Sequence, residues 1–477
     1  MFFGVIYLAN WLYMGICKKN NAKILPVYKT ILLVESYIFI IISDWKTAIS
    51  IIVLTAVCYL VVGGVCKFRE RKNVSKCIYL CGLIIAIGQL CFFKYYDFLA
   101  QNICKILNLS YTSNHTYIPL GISFFTFSAV AYLTDVYKSK YDAYKGFGDL
   151  ALYLAFFPKL ISGPIVRPEQ FNKQVYGGYC KVNINNLQEG IQIVVWGLFK
   201  KMVLADHLAI FVNDVFGAPS AFNSMTCIWA MISYSLQIYF DFSGYSDMAI
   251  GFSKMLGIDI DKNFDLPYIS KNVTEFWKRW HISLSSWLQE YVYISLGGNR
   301  KGKVRTKINL ILTMLIGGLW HGANWTFIVW GAIHGIALVV QKKFRAMCKK
   351  FNVLNDKTSV IKDVCSICFT FIFVTITWVF FRATSLMNAF QMLLRAVTFE
   401  KGVVQIYSWT WFALAFVIYE VGIAILHRDK QSNSIICMKY PILRLNTIKN
   451  LLVFFCFVGL TIILAYVGNT AFIYGKF

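Results

Sequence analysis

Long apolar stretches, separated by short charged segments, run along the whole chain. A helix needs about 20 apolar residues to cross a hydrocarbon layer of about 30 Å, and stretches of this length recur from end to end. We predict membrane helices that start near Met1, Thr30, Thr47, Cys77, Tyr117, Gly190, Cys227, Lys362, Trp409 and Leu451. The pattern therefore predicts an all-α polytopic protein, with the lipid bilayer as its surroundings.

The composition agrees with this pattern. Hydrophobic residues make up 58% of the chain and charged residues only 15%, whereas ordinary soluble domains carry about 25% charged residues. A soluble protein cannot bury so much apolar surface, because single cores stop growing beyond a few hundred residues. No linker or low-complexity tract divides the chain, so we expect one membrane domain over residues 1–477.

The formal net charge is +24, a balance that in a soluble protein can indicate nucleic acid. Here the Lys and Arg residues concentrate in short loops between apolar stretches, for example at 67–76 and 342–350. This distribution is typical of the cytoplasmic loops of membrane proteins. It argues against nucleic acid as a partner, and the alternation of loops places both chain ends outside the cytoplasm.

The segment Ile308–Val340 is 33 residues long, too long for one span and too short for two. It divides at Gly317–Gly322 into arms of about 12 and about 16 apolar residues, and a 12-residue helix rises only about 18 Å. Since both flanks are basic, we expect a re-entrant hairpin with His321 at its tip, lining a cavity inside the membrane. Gly318 and Gly322 would let a substrate approach the backbone closely.

Two other segments depart from simple spans. Pro158 and Gly163-Pro164 interrupt the apolar run Leu150–Arg167, which predicts a broken or re-entrant helix. The mixed segment Gly251–Lys307 carries tryptophans at helical spacing, as expected for helices that lie in the membrane interface with aromatic anchors; they are Trp277, Trp280 and Trp287.

Histidines are the first candidates for chemistry. A histidine inside a membrane domain is a functional candidate by default, and burial would keep His321 neutral and able to accept a proton; the alternative is a hydrogen-bonded structural residue. His281 lies among tryptophans and basic residues, so it is either a site residue or an interface anchor near lipid phosphates. The pattern offers no His-x₃-His and no cysteine cluster, so we expect no metal site.

The other polar candidates are weaker. Asp241 and Asp247 end an apolar run, where carboxylates could couple protons to transport or simply pair with Arg or Lys residues of the loops. His334 could orient a neighbouring side chain, whereas His115, His207 and His427 are expected to be structural. Cys365 and Cys368 lie in an apolar run and are expected to be ordinary helix residues.

Several motifs together resemble the membrane-bound O-acyltransferase (MBOAT) family. The resemblance is dense over residues 118–382. Within the family, the chain is most similar to the alginate O-acetylase branch, which also contains peptidoglycan O-acetyltransferases. The teichoic acid D-alanyl transfer protein is a close cousin. The motifs are Pro119–Phe124, Phe157–Pro164, Phe199–Asp206, Tyr239–Asp247, Phe276–Trp287, Tyr293–Arg300 and Gly317–Trp325 with Trp330-Gly331.

The resemblance implies a ring of about 10–12 transmembrane and re-entrant helices around a thin centre, with a cytoplasmic tunnel that meets an external funnel. It implies an acyltransferase in which His321 is the catalytic histidine and His281 the second motif residue. Supporting residues on the tunnel would be Trp320, Asn324, Asp241 and Asp247. The donor would be a cytoplasmic acyl thioester, acetyl-CoA in this branch, whose phosphates would contact Lys278, Arg279 and Arg300, and no bound cofactor is implied.

The C-terminal segment 469–477 contains Phe472–Phe477, which resembles an aromatic motif of this branch in which a tyrosine carries the acyl group. Gly475 and Lys476 depart from that motif, so Tyr474 is either an acyl relay or part of a terminal aromatic anchor. The branch implies a location in the bacterial cytoplasmic membrane, an extracytoplasmic partner similar to SGNH hydrolases, and a glycan acceptor. Two alternatives stay open: D-alanyl transfer from a carrier-protein thioester to teichoic acid, and a proton-coupled transporter of a polysaccharide or acyl carrier.

Overall fold

A computed structural model describes residues 24–113, 117–176, 183–350, 360–426, 437–438, 440–468 and 473. The secondary structure of these residues is helical, and their only β pairing is the isolated bridge between Phe222 and Val403. The all-α prediction is confirmed. The span predicted to start at Met1 lies outside the described residues, as do His115 and His427.

The chain divides into two compact units. The first unit comprises Met1–Val194 and Met248–Asp261, and the second comprises Val195–Asp247 and Lys262–Phe477. In the first unit the described helices are α1 (Ile24–Lys67), α2 (Lys72–Ile106), α3 (Ile122–Tyr137), α4 (Phe147–Ala155), α5 (Phe157–Leu160), α6 (Pro168–Tyr176) and most of α7 (Ile184–Leu198).

Two irregularities of the first unit match the sequence pattern. α1 is 44 residues long, but Asp44 has φ −169° and ψ 100°, so a kink divides the helix into the two runs predicted from Thr30 and Thr47. The apolar run Leu150–Arg167 is broken between α4 and α5 at Phe156, whose ψ is 106°. Pro158 lies in the first turn of α5, where its missing N–H costs no helical hydrogen bond.

In the second unit a π-helical segment (Phe199–Ala205) continues α7 into the next helix. The remaining helices are α8 (Asp206–Gly217), α9 (Ser224–Met255, shared with the first unit), α10 (Val273–Arg279), α11 (Ile282–Trp287), the π-helical Leu288–Tyr293, α12 (Gly302–His321), α13 (Trp325–Lys350), α14 (Val360–Arg382), α15 (Leu386–Val397), α16 (Ser408–Leu426) and α17 (Ile448–Leu464).

Five of the described helices are long and apolar enough to cross a membrane: Val27–Lys67, Lys72–Ile106, Trp325–Cys348, Val360–Arg382 and Ser408–Leu426. Large apolar side chains on the surfaces of these helices are not covered by the rest of the protein. For example, Phe369 is 74% exposed and Ile418 is 71% exposed. In water such surfaces would be unfavourable, whereas lipid tails solvate them. These helices confirm the polytopic character.

The hairpin around His321 differs from the prediction. The chain breaks after His321, but α12 has 20 residues and α13 has 26, so the arms of about 12 and about 16 residues are wrong. The prediction took the length of each arm from the number of consecutive apolar residues and so ended each arm at its basic flank. Lys and Arg are good helix formers, and they continue both helices beyond that point. A 20-residue helix is about 30 Å long, so arm length does not place His321 halfway across the bilayer.

Glycines bring α12 and α13 into close contact. A Cβ on Gly318 would overlap the carbonyl oxygen of Phe327, and a Cβ on Gly331 would overlap the carbonyl oxygen of Met314. A Cβ on Gly322 would meet the Phe327 ring. The expectation that Gly318 and Gly322 open the backbone to a substrate is therefore wrong, because α13 fills that space. Small residues commonly allow such approach between membrane helices.

We predict that Gly331→Leu separates α12 from α13 and destabilises the protein, since overpacking of this kind costs about 1–3 kcal/mol or more. The measurement is the thermal unfolding midpoint of purified protein in detergent. Gly459→Leu on α17 is the matched control, because nothing lies within 4 Å of a Cβ there. Equal midpoints for the two variants would contradict the packing account.

Candidate active site

His321 is the last residue of α12 and is 2% exposed. Its ring lies among aromatic rings, with centroids 4.9 Å from Trp320, 5.2 Å from Trp330 and 5.0 Å from Phe381. All three contacts are edge-to-face, an arrangement that aromatic pairs prefer. The imidazole therefore lies in an enclosed aromatic pocket, from which bulk water is largely excluded.

The walls of this pocket are fixed by further aromatic packing. Trp330 and Trp378 are fully buried and stack with their ring centroids 5.6 Å apart and their planes at 17°. Phe381 packs against both of these tryptophans, at 5.2 Å from each. Such large side chains have few alternative rotamers inside a close-packed interior, so the position of the His321 ring is well defined.

His334 lies one layer behind the pocket and supports it. The Trp277 indole Nε1–H donates to His334 Nδ1 over 3.3 Å, and indole can only donate. The neutral His334 ring therefore carries its proton on Nε2, which donates over 3.0 Å to Thr377 Oγ1. Its ring centroid lies 5.0 Å from Trp330, so this chain of hydrogen bonds helps to orient a wall of the His321 pocket.

The expected interface anchors are instead interior residues. The side chains of Trp277, Trp280 and Trp287 are 8%, 0% and 4% exposed, and His281 is also 0% exposed. The prediction of membrane-interface anchors, and the alternative that places His281 near lipid phosphates, are therefore wrong. The helical spacing of the three tryptophans reflects packing against the rest of the protein. Helices that pack against lipid show the same spacing in sequence, so the pattern does not distinguish the two.

His281 occupies a turn between α10 and α11, where its φ of +43° falls in the left-handed region. Such a backbone costs about 1–3 kcal/mol for a non-glycine residue and tends to occur at functional sites. The ring lies 4.6 Å from Phe242, edge to face. A strained residue that is completely buried is a strong site candidate.

Hydrogen bonds determine the tautomer of His281. Its Nδ1 lies 3.1 Å from Asn263 Oδ1, which also accepts from the backbone N–H and the hydroxyl of Ser283. The amide oxygen of Asn263 carries no hydrogen and can only accept, so His281 Nδ1 carries the proton. Burial lowers the pKa of His281 to about 3, and the neutral ring therefore offers Nε2 as an acceptor.

Trp320 connects the two histidines. It is 4% exposed, and its ring lies 4.9 Å from His321 and 5.8 Å from His281. Asn324 supports the same turn: its Oδ1 accepts from the N–H of Thr326, and its Nδ2 donates to the carbonyl of Thr384. Asn324 thus caps the start of α13 and ties it to the residues that follow α14.

The three basic residues expected at the donor differ in their surroundings. Lys278 and Arg300 are exposed. Arg279 is 5% exposed, and its guanidinium is held by the Glu275 carboxylate at 3.0 Å and by the Asp265 carbonyl at 2.9 Å. Arg279 is therefore held within the α10 segment by these two contacts, and its contact with the donor phosphates stays a prediction.

Arg300 is presented by a turn that requires glycine. Gly297 and Gly298 have φ of +104° and +53°, a region that residues with a Cβ rarely adopt. Asn309 of α12 holds the turn, because its Nδ2 donates to the carbonyl oxygens of Leu296 and Gly298. The turn keeps Arg300 on the exposed side of this segment.

Asp241 and Asp247 are paired with helix lysines rather than with the expected loop residues. Lys201 Nζ lies 2.6 Å from Asp241, and Lys200 Nζ lies 3.0 Å from Asp247. Gly244, midway between the two acids, allows α9 to touch the π-helical segment, since a Cβ there would lie 2.7 Å from the Gly197 carbonyl oxygen. Single π turns often mark functional sites, and this one directs two consecutive lysines to different acids.

Two residues of this region were missed from the sequence. Glu420 of α16 pairs with Lys200 at 2.6 Å and accepts from the Tyr239 hydroxyl; as a lone acid in an apolar run it was detectable. Asn263 lies 18 residues before His281 in a segment with no motif, so nothing in the pattern indicated its contact. Tyr474 lies outside the described residues, and within the described ranges no group of three metal-ligating side chains occurs.

Comparisons with known proteins show relatives that match part of this chain. Over 272 residues the chain is 42% identical to a probable alginate O-acetylase of Azotobacter vinelandii, covering 55% of this chain and 53% of that protein. It is 40% identical over 302 residues to a peptidoglycan O-acetyltransferase of Helicobacter pylori (58% and 57% covered). It is 27% identical over 336 residues to a teichoic acid D-alanyltransferase of Bacillus subtilis (68% and 82% covered).

The matched region spans about half the length of the first two relatives. The profile of the family described as MBOAT, membrane-bound O-acyltransferase, matches residues 38–389. That range contains α12, α13 and both site histidines. The chain is therefore a member of the membrane-bound O-acyltransferase family and a multi-pass membrane protein.

Proposed function

We propose that this protein transfers an acyl group, acetyl in the first instance, from a cytoplasmic thioester to a hydroxyl of an extracytoplasmic polysaccharide or cell-wall glycan. The observation that carries the proposal is the enclosed aromatic pocket around His321, inside the region that matches the acyltransferase family. Transfer of an acyl group from a thioester to an alcohol needs a base to take the proton of the alcohol. It also needs a site that excludes water, because water would otherwise hydrolyse the donor.

His321 is the general base in this proposal. It takes the proton of the attacking hydroxyl while the new C–O bond forms and the C–S bond of the thioester breaks. The proton then passes to the departing thiolate, so the products are an ester and free coenzyme A. General-base catalysis of this kind contributes about 10²–10⁴-fold.

His281 acts as an acceptor in this proposal. Because Nδ1–H is held by Asn263, the neutral ring can only accept at Nε2, where it would orient a donor N–H or the attacking hydroxyl. The left-handed turn and the Asn263 contact keep the ring ready for this contact before the substrate binds. Such preorganisation is a general requirement of efficient sites.

The exposed residues Lys278 and Arg300 are proposed to bind the phosphates of coenzyme A. Both belong to basic segments that the distribution of charge places on the cytoplasmic side. Arginine suits phosphate because its planar fork can donate two parallel hydrogen bonds. The cytoplasmic tunnel and external funnel implied by the family would connect this donor to the acceptor.

Names of relatives support the acceptor class. The proteins of A. vinelandii and H. pylori are named for alginate and peptidoglycan O-acetylation, so a glycan acceptor outside a bacterial cytoplasmic membrane is the proposed substrate. Tyr474 is the proposed relay: its phenol attacks the acetyl thioester and forms an aryl ester, releasing the thiol. A hydroxyl of an SGNH-hydrolase-like partner then takes the acetyl group from this ester, and the Tyr474 phenol is regenerated. A D-alanyl donor on a carrier protein is the second candidate, since the named D-alanyltransferase is covered over 82% of its length.

The transporter alternative loses its main support. It depended on Asp241 and Asp247 as carboxylates that take up and release protons. Each acid is paired with a buried or half-buried lysine, and these contacts between α9 and the π-helical segment give the two acids a structural role.

We predict that His321→Ala lowers kcat for acetyl-CoA-dependent transfer by about 10²–10⁴-fold because the general base is lost. Release of free coenzyme A by purified protein, with acceptor and partner supplied, is the measurement. Cys456→Ala, an exposed position of α17, serves as control, and the unfolding midpoints of both variants verify folding. Wild-type turnover in a folded His321→Ala variant would overturn the catalytic assignment.

We predict that Lys278→Ala and Arg300→Ala each raise KM for acetyl-CoA by roughly 3–10-fold with little change in kcat, since an exposed charge pair contributes about 1 kcal/mol. Acetyl-pantetheine, which lacks the phosphates, is the matched substrate, and its KM should not change. If both substrates respond equally, these residues do not contact phosphate.

A further inference from the structure

The end of the chain returns to the π-helical segment of the second unit. After α17, the backbone N–H of Tyr466 donates over 3.0 Å to the carbonyl of Met202, and the Tyr466 ring lies 5.5 Å from His207. Seven residues further on, the backbone N–H of Ile473 donates over 2.9 Å to Asp241 Oδ2. The C-terminal segment is thus attached at two points to neighbouring elements.

Asp241 is unusual because its two oxygens serve different elements. Its side chain is 2% exposed; Oδ1 pairs with Lys201 at 2.6 Å, and Oδ2 accepts from Ile473. Lys201 is itself fixed by Asp206, also at 2.6 Å. A buried carboxylate oxygen needs a hydrogen-bond donor, and the backbone of the C-terminal segment supplies it. A charge-assisted hydrogen bond of this type is about twice as strong as a neutral one.

This contact is specific to the backbone at Ile473 and requires no particular side chain. The hydrogen bond therefore holds the backbone at residue 473, which immediately precedes Tyr474 in sequence. It does not depend on which aromatic side chains follow. Packing alone does not explain a buried acid at this position, because a leucine would bury more apolar surface without the cost of desolvating a carboxyl group.

We propose that Asp241, held by Lys201, is a positioning residue that anchors the C-terminal segment at Ile473 for acyl transfer. The proposal rests on the proposed function, in which the next residue, Tyr474, receives the acyl group. Without the anchor, the chain is no longer held at Ile473, next to Tyr474 in sequence, so we expect the rate of transfer to fall while donor binding, which uses other residues, is unchanged.

Hydrogen exchange tests the anchor directly. In detergent-purified protein, the Ile473 amide should exchange slowly, and Asp241→Ala should accelerate its exchange by about tenfold or more. Asp206→Ala is the matched control, because it removes the other partner of Lys201 but leaves the Ile473 bond. Unchanged exchange in Asp241→Ala, or equal acceleration in Asp206→Ala, would overturn the assignment.

Transfer kinetics test the function of the anchor with a pair of variants that leave the buried charges intact. Ile473→Pro removes the donor N–H, whereas Ile473→Ala keeps it. We expect Ile473→Pro to lower kcat for transfer by about tenfold or more relative to Ile473→Ala, with the same KM for acetyl-CoA in both. Equal kcat values would overturn the positioning role.

The two measurements separate this inference from the proposed function. If wild-type protein with donor, acceptor and partner shows no transfer, the proposed function fails, and the exchange of the Ile473 amide still decides whether Asp241 anchors the segment. If transfer occurs but exchange does not depend on Asp241, the anchor fails and the acyltransferase stands.

Discussion

The close contact of α12 and α13 at Gly318 and Gly331 is the constraint on which the candidate site depends. Because neither glycine has space for a Cβ, the two helices approach until their backbones touch. This brings Trp330 of α13 against His321 at the end of α12, and Trp378 and Phe381 of α14 complete the cluster. A single added side chain at the contact would move every ring around the histidine.

Several buried polar groups in the second unit occur in matched sets, which suits a low-dielectric interior. Lys200 meets Asp247 and Glu420, and tyrosine hydroxyls satisfy the remaining oxygens of both acids. His334 is satisfied at both nitrogens by Trp277 and Thr377. These hydrogen bonds fix the tautomer of His334, as Asn263 fixes that of His281, so both rings are positioned by hydrogen bonds as well as by packing.

Much of the fold follows from counting apolar residues, because a hydrocarbon layer sets the length of its helices. The two runs of α1 were predictable in this way. Proline and glycine residues within apolar runs indicated the breaks near Phe156 and after His321. The length of the hairpin arms was not predictable, because basic residues end an apolar count without ending a helix. The motif resemblance located His281 and His321, but a linear pattern contains no information about which element covers a side chain. The burial of Trp280, the pairing of Arg279 and the role of Asn263 therefore required three-dimensional structure.

The central claim is that the acyl group of the donor reaches the aromatic pocket of His321. An acyl-CoA analogue with a diazirine at the end of its acyl chain, photoactivated on purified protein and mapped by mass spectrometry, tests this most directly. The account predicts labelling at Trp320, Trp330 or Phe381, and its loss when excess acetyl-CoA competes. Competed labelling confined to the apolar groove lined by Ile228, Phe371 and Leu394, with none around His321, would contradict it.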